Sequence, residues 1–366
     1  MHVSAPGKLF VSGEWAILEV GNPGIVAAVN KRVHAEISQA EEFLVTIDDF
    51  GIKDLKLTWD GKVLSPEGEV NAGDIKFLKA SIETVLRFLG ENSVEFKPFS
   101  IRTWGEDTQI EIGGQQKKIG FGSSAATVVA VVKAVLDFHG YQAGKEEIYK
   151  LSAIVHYNAQ GKVGSGFDVA ASTYGGLFVY KRFDAKWLVE QMEAGISLKE
   201  IVSQEWPGFM VEPLEVSEDF RLDIGWTKES ASTSAMIKQL NAWAADNKEA
   251  YNQAFAGIAS LVGELIPAWK EQNREKVLDL LRKNESLLQD LGQKSGVPIE
   301  TADLKTLSEI ANRAGGAGKL SGAGGGDCGI AVSFSPEVSE KIKQAWKEAG
   351  LYLIDATIDR EGVKAE

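Results

Sequence analysis

The run Lys117-Lys118-Ile119-Gly120-Phe121-Gly122-Ser123-Ser124-Ala125-Ala126 sets two glycines and two serines directly ahead of a long apolar stretch. Glycine lets backbone N–H groups approach a ligand without obstruction by a Cβ. A helix opening here turns its unpaired N–H groups and the positive end of its dipole the same way, making an anion site suited to a polyphosphate. The hydroxyls of Ser123 and Ser124 can bond phosphate or offer oxygen to Mg2+. No Gly-Lys-Ser/Thr closes the run, so it is not a Walker A loop. Either serine could instead do no more than cap a buried helix.

A second glycine region, Leu320-Ser321-Gly322-Ala323-Gly324-Gly325-Gly326-Asp327-Cys328-Gly329, packs four glycines into five consecutive positions. Ordering glycine costs roughly 1 kcal/mol or more per residue relative to alanine. Such a loop brings backbone amides against an anion or against a neighbouring backbone; a solvent hinge is the plainer alternative. Cys328 reads as a small packed residue, because no base is suggested beside it. Lys8 follows Pro6-Gly7 at the entry to an apolar strand, with Glu14 further on. Its ammonium could be aimed into a cleft or simply be solvated. Asp168, among the small and apolar residues of Gly161 to Ser172, is either a helix N-cap or a functional carboxylate.

The elements that must position these groups are legible from periodicity and turn residues. Strands are predicted over Ile25 to Asn30, Val33 to Ser38, Phe43 to Ile47, Pro98 to Trp104 and Gly176 to Tyr180. Helices are predicted from Asp74 as N-cap, from the Gly120–Ser124 turn to near Gly140, and over Lys145 to Ala159. Phe183 to Gln204 reads as helical and Pro207 follows it, which sets a domain boundary near 205. Beyond it come strands at Phe209 to Val216 and Phe220 to Trp226. Helices are expected at Ser232 to Ala245, Lys248 to Trp269, Arg274 to Leu291 and Thr301 to Ala314. A strand at Cys328 to Phe334, a helix at Pro336 to Ala349 and a strand at Leu351 to Ile358 complete an α+β half with a ferredoxin-like layer.

Composition narrows the class. The chain has 366 residues, 44% hydrophobic and 25% charged, enough for two globular domains sharing a cleft. A net charge of −13 argues against a nucleic-acid surface. One cysteine excludes an internal disulfide framework and a cysteine metal site, and suits a reducing cytoplasm. The most apolar stretch, Ala125 to Phe138, is too short to span a bilayer, so no membrane is expected as a partner.

In this order the motifs resemble the GHMP kinase family, and the resemblance spans nearly the whole chain. Pro6 to Glu19 looks like the opening of the branch that acts on phosphomevalonate, whereas galactokinases show Arg in the place of Lys8 and His after the Glu. Gly120 to Ala126 is similar to the family's phosphate loop, with Phe121 for a commoner Leu. Lys162 to Ala170 and Ser321 to Cys328 resemble the same branch. So does Gly225 to Ser234, except that Lys228-Glu229 replaces smaller residues.

The resemblance implies a two-domain α+β fold. An N-terminal ATP-binding domain like ribosomal protein S5 domain 2 would cover 1–205, and a ferredoxin-like C-terminal domain 206–366, with the active site between them. It implies ATP phosphates along Gly120, Gly122, Ser123, Ser124 and Ala125, with Mg2+ at Ser123 or Ser124, of which Ser124 is taken as the ligand. Lys8 and Asp168 would meet at the transferred phosphoryl group. The acceptor, phosphomevalonate, would be held by Glu14, Lys118, Ser165, Ser232, Thr233, Ser321, Gly322, Gly324 and Asp327. Ser232 to Ser234 could alternatively do no more than cap a helix. Mevalonate kinases carry a Mg2+-binding Glu upstream of the Asp168 motif, where this chain offers His156 or Gln160. Mevalonate or another small-molecule acceptor is a second reading, and a non-catalytic binding protein a third.

Overall fold

The computed structural model describes residues 1–106, 109–112, 115–161, 164–229 and 232–366, with the backbone alone at 109–112 and 115–118. A nine-stranded sheet forms the first lobe. Its order is Met210–Leu214, Leu177–Lys181, Pro23–Gln39, Phe99–Gly105, Phe43–Ile47, Ile52–Trp59 and Leu64–Pro66. His2–Ser12 pairs with Pro23–Gln39 on one side and with the C-terminal Lys364–Ala365 on the other. Pairing is antiparallel except between Phe43–Ile47 and Phe99–Gly105.

The two strands expected over 25–30 and 33–38 are one strand, Pro23–Gln39, interrupted by a bulge. Pro6 opposes Arg32 while Gly7 opposes Val29, so Asn30 and Lys31 are extra residues on this strand. Polar residues that break the alternation read as a turn in sequence, but a bulge accommodates them within the ladder. Helix Ala72–Glu91 is capped by Asn71, whose side chain accepts from Gly73 N–H; Asp74, the expected cap, sits in the first turn. The expected helical stretch 183–204 divides into Ala185–Glu193 and Leu198–Ser203, the second opened by a Ser197–Glu200 capping box. Helix Ser123–Phe138 buries residues on every side, from Ala125 to Leu136. It lies between the sheet and helices Ala72–Glu91 and Lys145–Ala159, so its apolar character is continuous rather than striped.

The second lobe is a four-stranded antiparallel sheet, ordered Ala317–Leu320, Cys328–Ser333, Arg221–Trp226, Tyr352–Ile354. Its chain order and sheet order together are the expected ferredoxin-like arrangement. Helices Ala302–Arg313 and Pro336–Glu348 cover one face through Leu307, Ala311, Ile342 and Trp346. The other face packs Trp226, Ile330 and Val332 into a cluster shared with Leu9, Val11, Ile25 and Ala27 of the first sheet. The lobes therefore share a core.

The chain also crosses back. Met210–Leu214, beyond residue 205, pairs with Leu177–Lys181 of the first sheet, and the last residues return to His2–Ser12. Arg32 anchors that return. Its guanidinium pairs with Asp359 and donates to Ser4 Oγ at 2.7 Å, Ser4 O at 3.0 Å and Gly362 O at 2.7 Å. Both members of the ion pair are buried. Removing one member leaves the other charged and uncompensated. Arg32→Met is expected to lower unfolding free energy by about 3–5 kcal/mol, read as the shift in urea midpoint at constant slope.

Candidate active site

A cavity of about 410 Å³ lies between the lobes. Strand His2–Ser12 brings Lys8 and Phe10 to it, the Gly120–Ser124 turn forms one wall, Ser165 and Asp168 a second, and Ser321 to Asp327 a third. Glu14, Trp15, Gln160 and Thr233 also line it.

The glycine turn and the first strand are built against each other. Lys8 N–H donates to Phe121 O at 2.9 Å. A Cβ on Gly7 would stand only 2.9 Å from that same oxygen, so the residue before Lys8 must be glycine for the two backbones to touch. Lys8 Nζ donates to Gly120 O at 2.5 Å. Helix Ser123–Phe138 is capped by Gly122 in the left-handed region (φ 75°), with no side-chain cap bond. The capping role considered for Ser123 and Ser124 is therefore not the one found. Both serines lie inside the first turn and face the cavity. Among the described residues, the amides of Gly122, Ser123 and Ser124 donate to no backbone or side-chain group. Those of Gly120 and Ala125 are bonded to Asp327 Oδ1 and Gly122 O. Three adjacent free donors at a helix start make an anion cradle. Ala125 itself is buried away from it.

Asp168 stands across Gly122 from Lys8. A Cβ on Gly122 would lie 3.1 Å from Lys8 Cγ and 3.6 Å from Asp168 Cβ. No ion pair joins the two charged groups within 4.0 Å among the described residues, so the expected meeting of Lys8 and Asp168 is a flanking of one gap. Asp168 lies in the first turn of helix Phe167–Tyr174, whose cap is Gly166, and its Oδ1 accepts Val169 N–H at 2.9 Å. The N-cap reading of Asp168 is thus excluded. The turn ahead of it is pinned by Tyr180, which donates to Ser165 O at 2.5 Å. His156 is buried beside both functional groups, its Nε2 3.2 Å from Ser124 Oγ and 3.9 Å from Asp168 Oδ2, with its ring stacked on Phe77. Ser124, Asp168 and the phosphates themselves suit Mg2+, which typically takes one or two carboxylates and completes its shell with phosphate and water. No cluster of three or more His, Cys, Asp or Glu fit for a metal occurs among the described residues.

In the second glycine region Gly324 and Gly325 lie against a neighbouring backbone. A Cβ on Gly324 would overlap Ile299 O, and Gly325 N–H donates to that oxygen at 2.8 Å. The Ser321 hydroxyl both donates to Phe10 O and accepts from Phe10 N–H, each at 2.9 Å. It ties the second lobe to the first strand and is already fully engaged. Gly322 faces the cavity. Asp327 Oδ1 holds Gly120 N–H at 3.0 Å. Burial pushes its carboxyl up, opposed by Lys8 and that hydrogen bond. Ser232 caps helix Thr233–Asp246 by accepting Ala235 N–H at 3.4 Å, while its neighbour Thr233 reaches the cavity wall. The Lys118 side chain and Lys162 lie outside the described residues.

Sequence reasoning missed Lys319. It lies in the edge strand Ala317–Leu320, is 1% exposed, pairs with Glu14 and donates to Leu320 O at 2.6 Å. Glu285, from helix Arg274–Ser295, closes the group by accepting Leu320 N–H at 3.0 Å. A lysine between Gly318 and Leu320 is an available signal, but only the fold reveals two carboxylates around it. Glu14 thus has one oxygen held by Lys319, while its Oε2 has no partner in the described structure. Burial pushes Glu285 up from 4.5 to about 8, against the opposing pull of Lys319. A raised carboxyl pKa favours the neutral form in the fold. The contribution of Glu285 to stability is therefore full below about pH 4.5 and is lost as pH rises through about 8. Glu285→Gln, which keeps an oxygen for Leu320 N–H, is expected to flatten that decline. Melting temperature followed across this window checks it, and parallel curves for both proteins would refute it.

Known sequences and structures resemble this chain over nearly its whole length. The model of the GHMP kinases N terminal domain matches residues 77–176, and that of the GHMP kinases C terminal matches 265–351. Phosphomevalonate kinase of Streptomyces sp. (strain CL190) is 30% identical over 98% of this chain and 97% of its own length. The Lin0012 protein from Listeria innocua superposes with a TM-score of 0.91 at 31% identity, covering 100% of this chain and 99% of that one. Phosphomevalonate kinase of Streptococcus pneumoniae, solved with phosphomevalonate and AMPPNP, superposes with a TM-score of 0.83 at 27% identity, covering 98% and 99%. The chain belongs to the GHMP kinase family, with that family's two-domain fold.

Proposed function

We propose that the protein is a phosphomevalonate kinase, transferring the γ-phosphoryl group of ATP to 5-phosphomevalonate to give 5-diphosphomevalonate and ADP. The observation that carries this reading is the convergence of Lys8, the free amides of Gly122, Ser123 and Ser124, and Asp168 on one cavity. The phosphomevalonate kinase relative and the pneumococcal neighbour support the choice of acceptor.

The chemistry assigned to these residues is positioning and charge neutralisation. A phosphate oxygen of the acceptor forms a bond to the γ-phosphorus as the bond to the β–γ bridging oxygen breaks, and ADP leaves with that oxygen. A phosphate monoester has a second pKa near 6, so at pH 7 about nine-tenths is already the dianion and a general base is hardly needed. The larger barrier is bringing two anions together. At ~4 Å a unit charge pair is worth about 4 kcal/mol at an effective dielectric of 20, and Lys8 supplies that charge. The Gly122–Ser124 amides hold the transferred phosphoryl group, and Asp168 orients the acceptor opposite Lys8. Mg2+, held by Ser124 and Asp168 when bound, would supply further neutralisation of phosphate charge.

Release of ADP measured with phosphomevalonate, with mevalonate and with neither tests the reading; turnover on mevalonate alone would overturn it. Lys8→Met is expected to lower kcat/KM by on the order of 10³, the equivalent of the 4 kcal/mol above. Asp168→Asn is expected to cost no more than about tenfold with a phosphate acceptor. A loss of ~10²–10⁴ that saturating Mg2+ does not recover would instead mark Asp168 as a base acting on a hydroxyl.

A further inference from the structure

We infer that Asp327 is a positioning residue, the latch by which the second glycine loop fixes the Gly120 backbone and, through its carbonyl, the Lys8 ammonium. The inference rests on the kinase reading of the cavity, and it gives Asp327 a role other than contact with the acceptor.

Three observations converge on it. The first is a continuous chain of contacts. Asp327 Oδ1 accepts Gly120 N–H at 3.0 Å, and Gly120 O accepts Lys8 Nζ at 2.5 Å. Two successive peptide groups that meet at the Gly120 Cα thus carry a carboxylate on the N–H of one and an ammonium on the carbonyl of the next, so Asp327 reaches Lys8 by fixing the Gly120 backbone between them. The second is the reason for glycine at position 120. Its φ is not in the left-handed region, where Gly122 lies, so backbone conformation does not demand glycine there. Space does. A Cβ on Gly120 would overlap Asp327 Oδ2 and come within 2.5 Å of Cγ and 2.9 Å of Oδ1, and these are its three nearest atoms. The carboxylate lies directly on the Gly120 Cα.

The third is that Asp327 is itself held. It is a non-glycine residue in the left-handed region, at φ 62°, a conformation that persists where the surroundings over-determine it. Its N–H donates to Glu229 O at 2.9 Å, and its carbonyl accepts Thr227 N–H at 3.0 Å and Thr227 Oγ1 at 3.2 Å. Those bonds aim the side chain at Gly120. A free carboxylate among substrate phosphates would oppose the meeting of two anions. Bonded to Gly120 and facing Lys8, this one instead fixes the direction from which the lysine approaches.

The test is a suppressor experiment. Gly120→Ala is expected to lower kcat/KM by on the order of 10²-fold, as a misplacement of about 1 Å does. Adding Asp327→Gly removes the overlapping atoms, so G120A/D327G should bind AMPPNP more tightly and melt higher than G120A alone. In single variants, Asp327→Ala should lower kcat more than it raises KM for the acceptor. Asp327→Asn, which keeps an oxygen for the Gly120 amide, should retain more activity than Asp327→Ala. If G120A fails to fold, recovery of folded protein in the double variant is the supporting result.

The latch is overturned if G120A matches wild type, or if the double variant is no better than G120A in both AMPPNP affinity and melting temperature. It is also overturned if Asp327→Ala acts wholly on acceptor KM. AMPPNP affinity and melting temperature do not depend on which acceptor is used. Suppression without turnover on phosphomevalonate would thus defeat the proposed substrate and leave the latch standing.

Discussion

The backbone of Gly120, its N–H held by the Asp327 carboxylate and its carbonyl by the Lys8 ammonium, is the contact on which the geometry of the cavity depends. It joins three segments distant in sequence: the first strand, the turn ahead of the buried helix, and the glycine loop of the second lobe. Each partner brings a polar group that would be costly to bury alone. Because Gly120 is occupied at both ends, the free donors fall to Gly122, Ser123 and Ser124. The anion cradle begins at Gly122, and the residues before it are its support.

Buried charge recurs where the lobes meet. Lys319 pairs with Glu14 beneath the cavity wall, and Arg32 pairs with Asp359 where the C-terminal segment rejoins the first sheet. Such pairs add little net stability over apolar replacements, but breaking one is expensive because the survivor stays charged. Each pair here ties a residue of the first sheet's segment to one from the far end of the chain. Glu14 is held by a lysine of the second lobe, and the strand bearing Lys8 is held by Ser321 of that lobe through Phe10. A shift of one lobe against the other would therefore disturb the cavity on two sides at once.

An acidic protein that handles phosphates must gather positive potential locally. With a net charge of −13, long-range attraction for anions is absent, and the site relies on short-range donors. Among the described residues, backbone amides at a helix start and Lys8 provide it in a partly enclosed space, where each interaction is stronger than in water.

Much of this was legible in the residues alone. The glycine–serine turn before an apolar run announces a helix start able to hold an anion. Helix Lys145–Ala159 and three strands of the second sheet follow from periodicity, because a helical face or alternating strand is a local property of the chain; the edge strand Ala317–Leu320 escaped, and the strand expected at 209–216 joined the first sheet instead. Caps were less legible. Asn71 rather than Asp74, and Gly122 rather than either serine, occupy the cap positions, since several neighbouring residues can cap equally well and packing selects one. The bulge at Asn30 and Lys31 escaped for a related reason: an extra residue looks like a turn until its partner strand is known. Composition and spacing determined which residues could bind phosphate and in which elements they lie. Only the tertiary structure decided which of them are free to do so. Whether an amide, hydroxyl or carboxylate is spare depends on partners such as Ile299, Phe10 and Lys319, brought from far along the chain by the folding of two lobes onto one core.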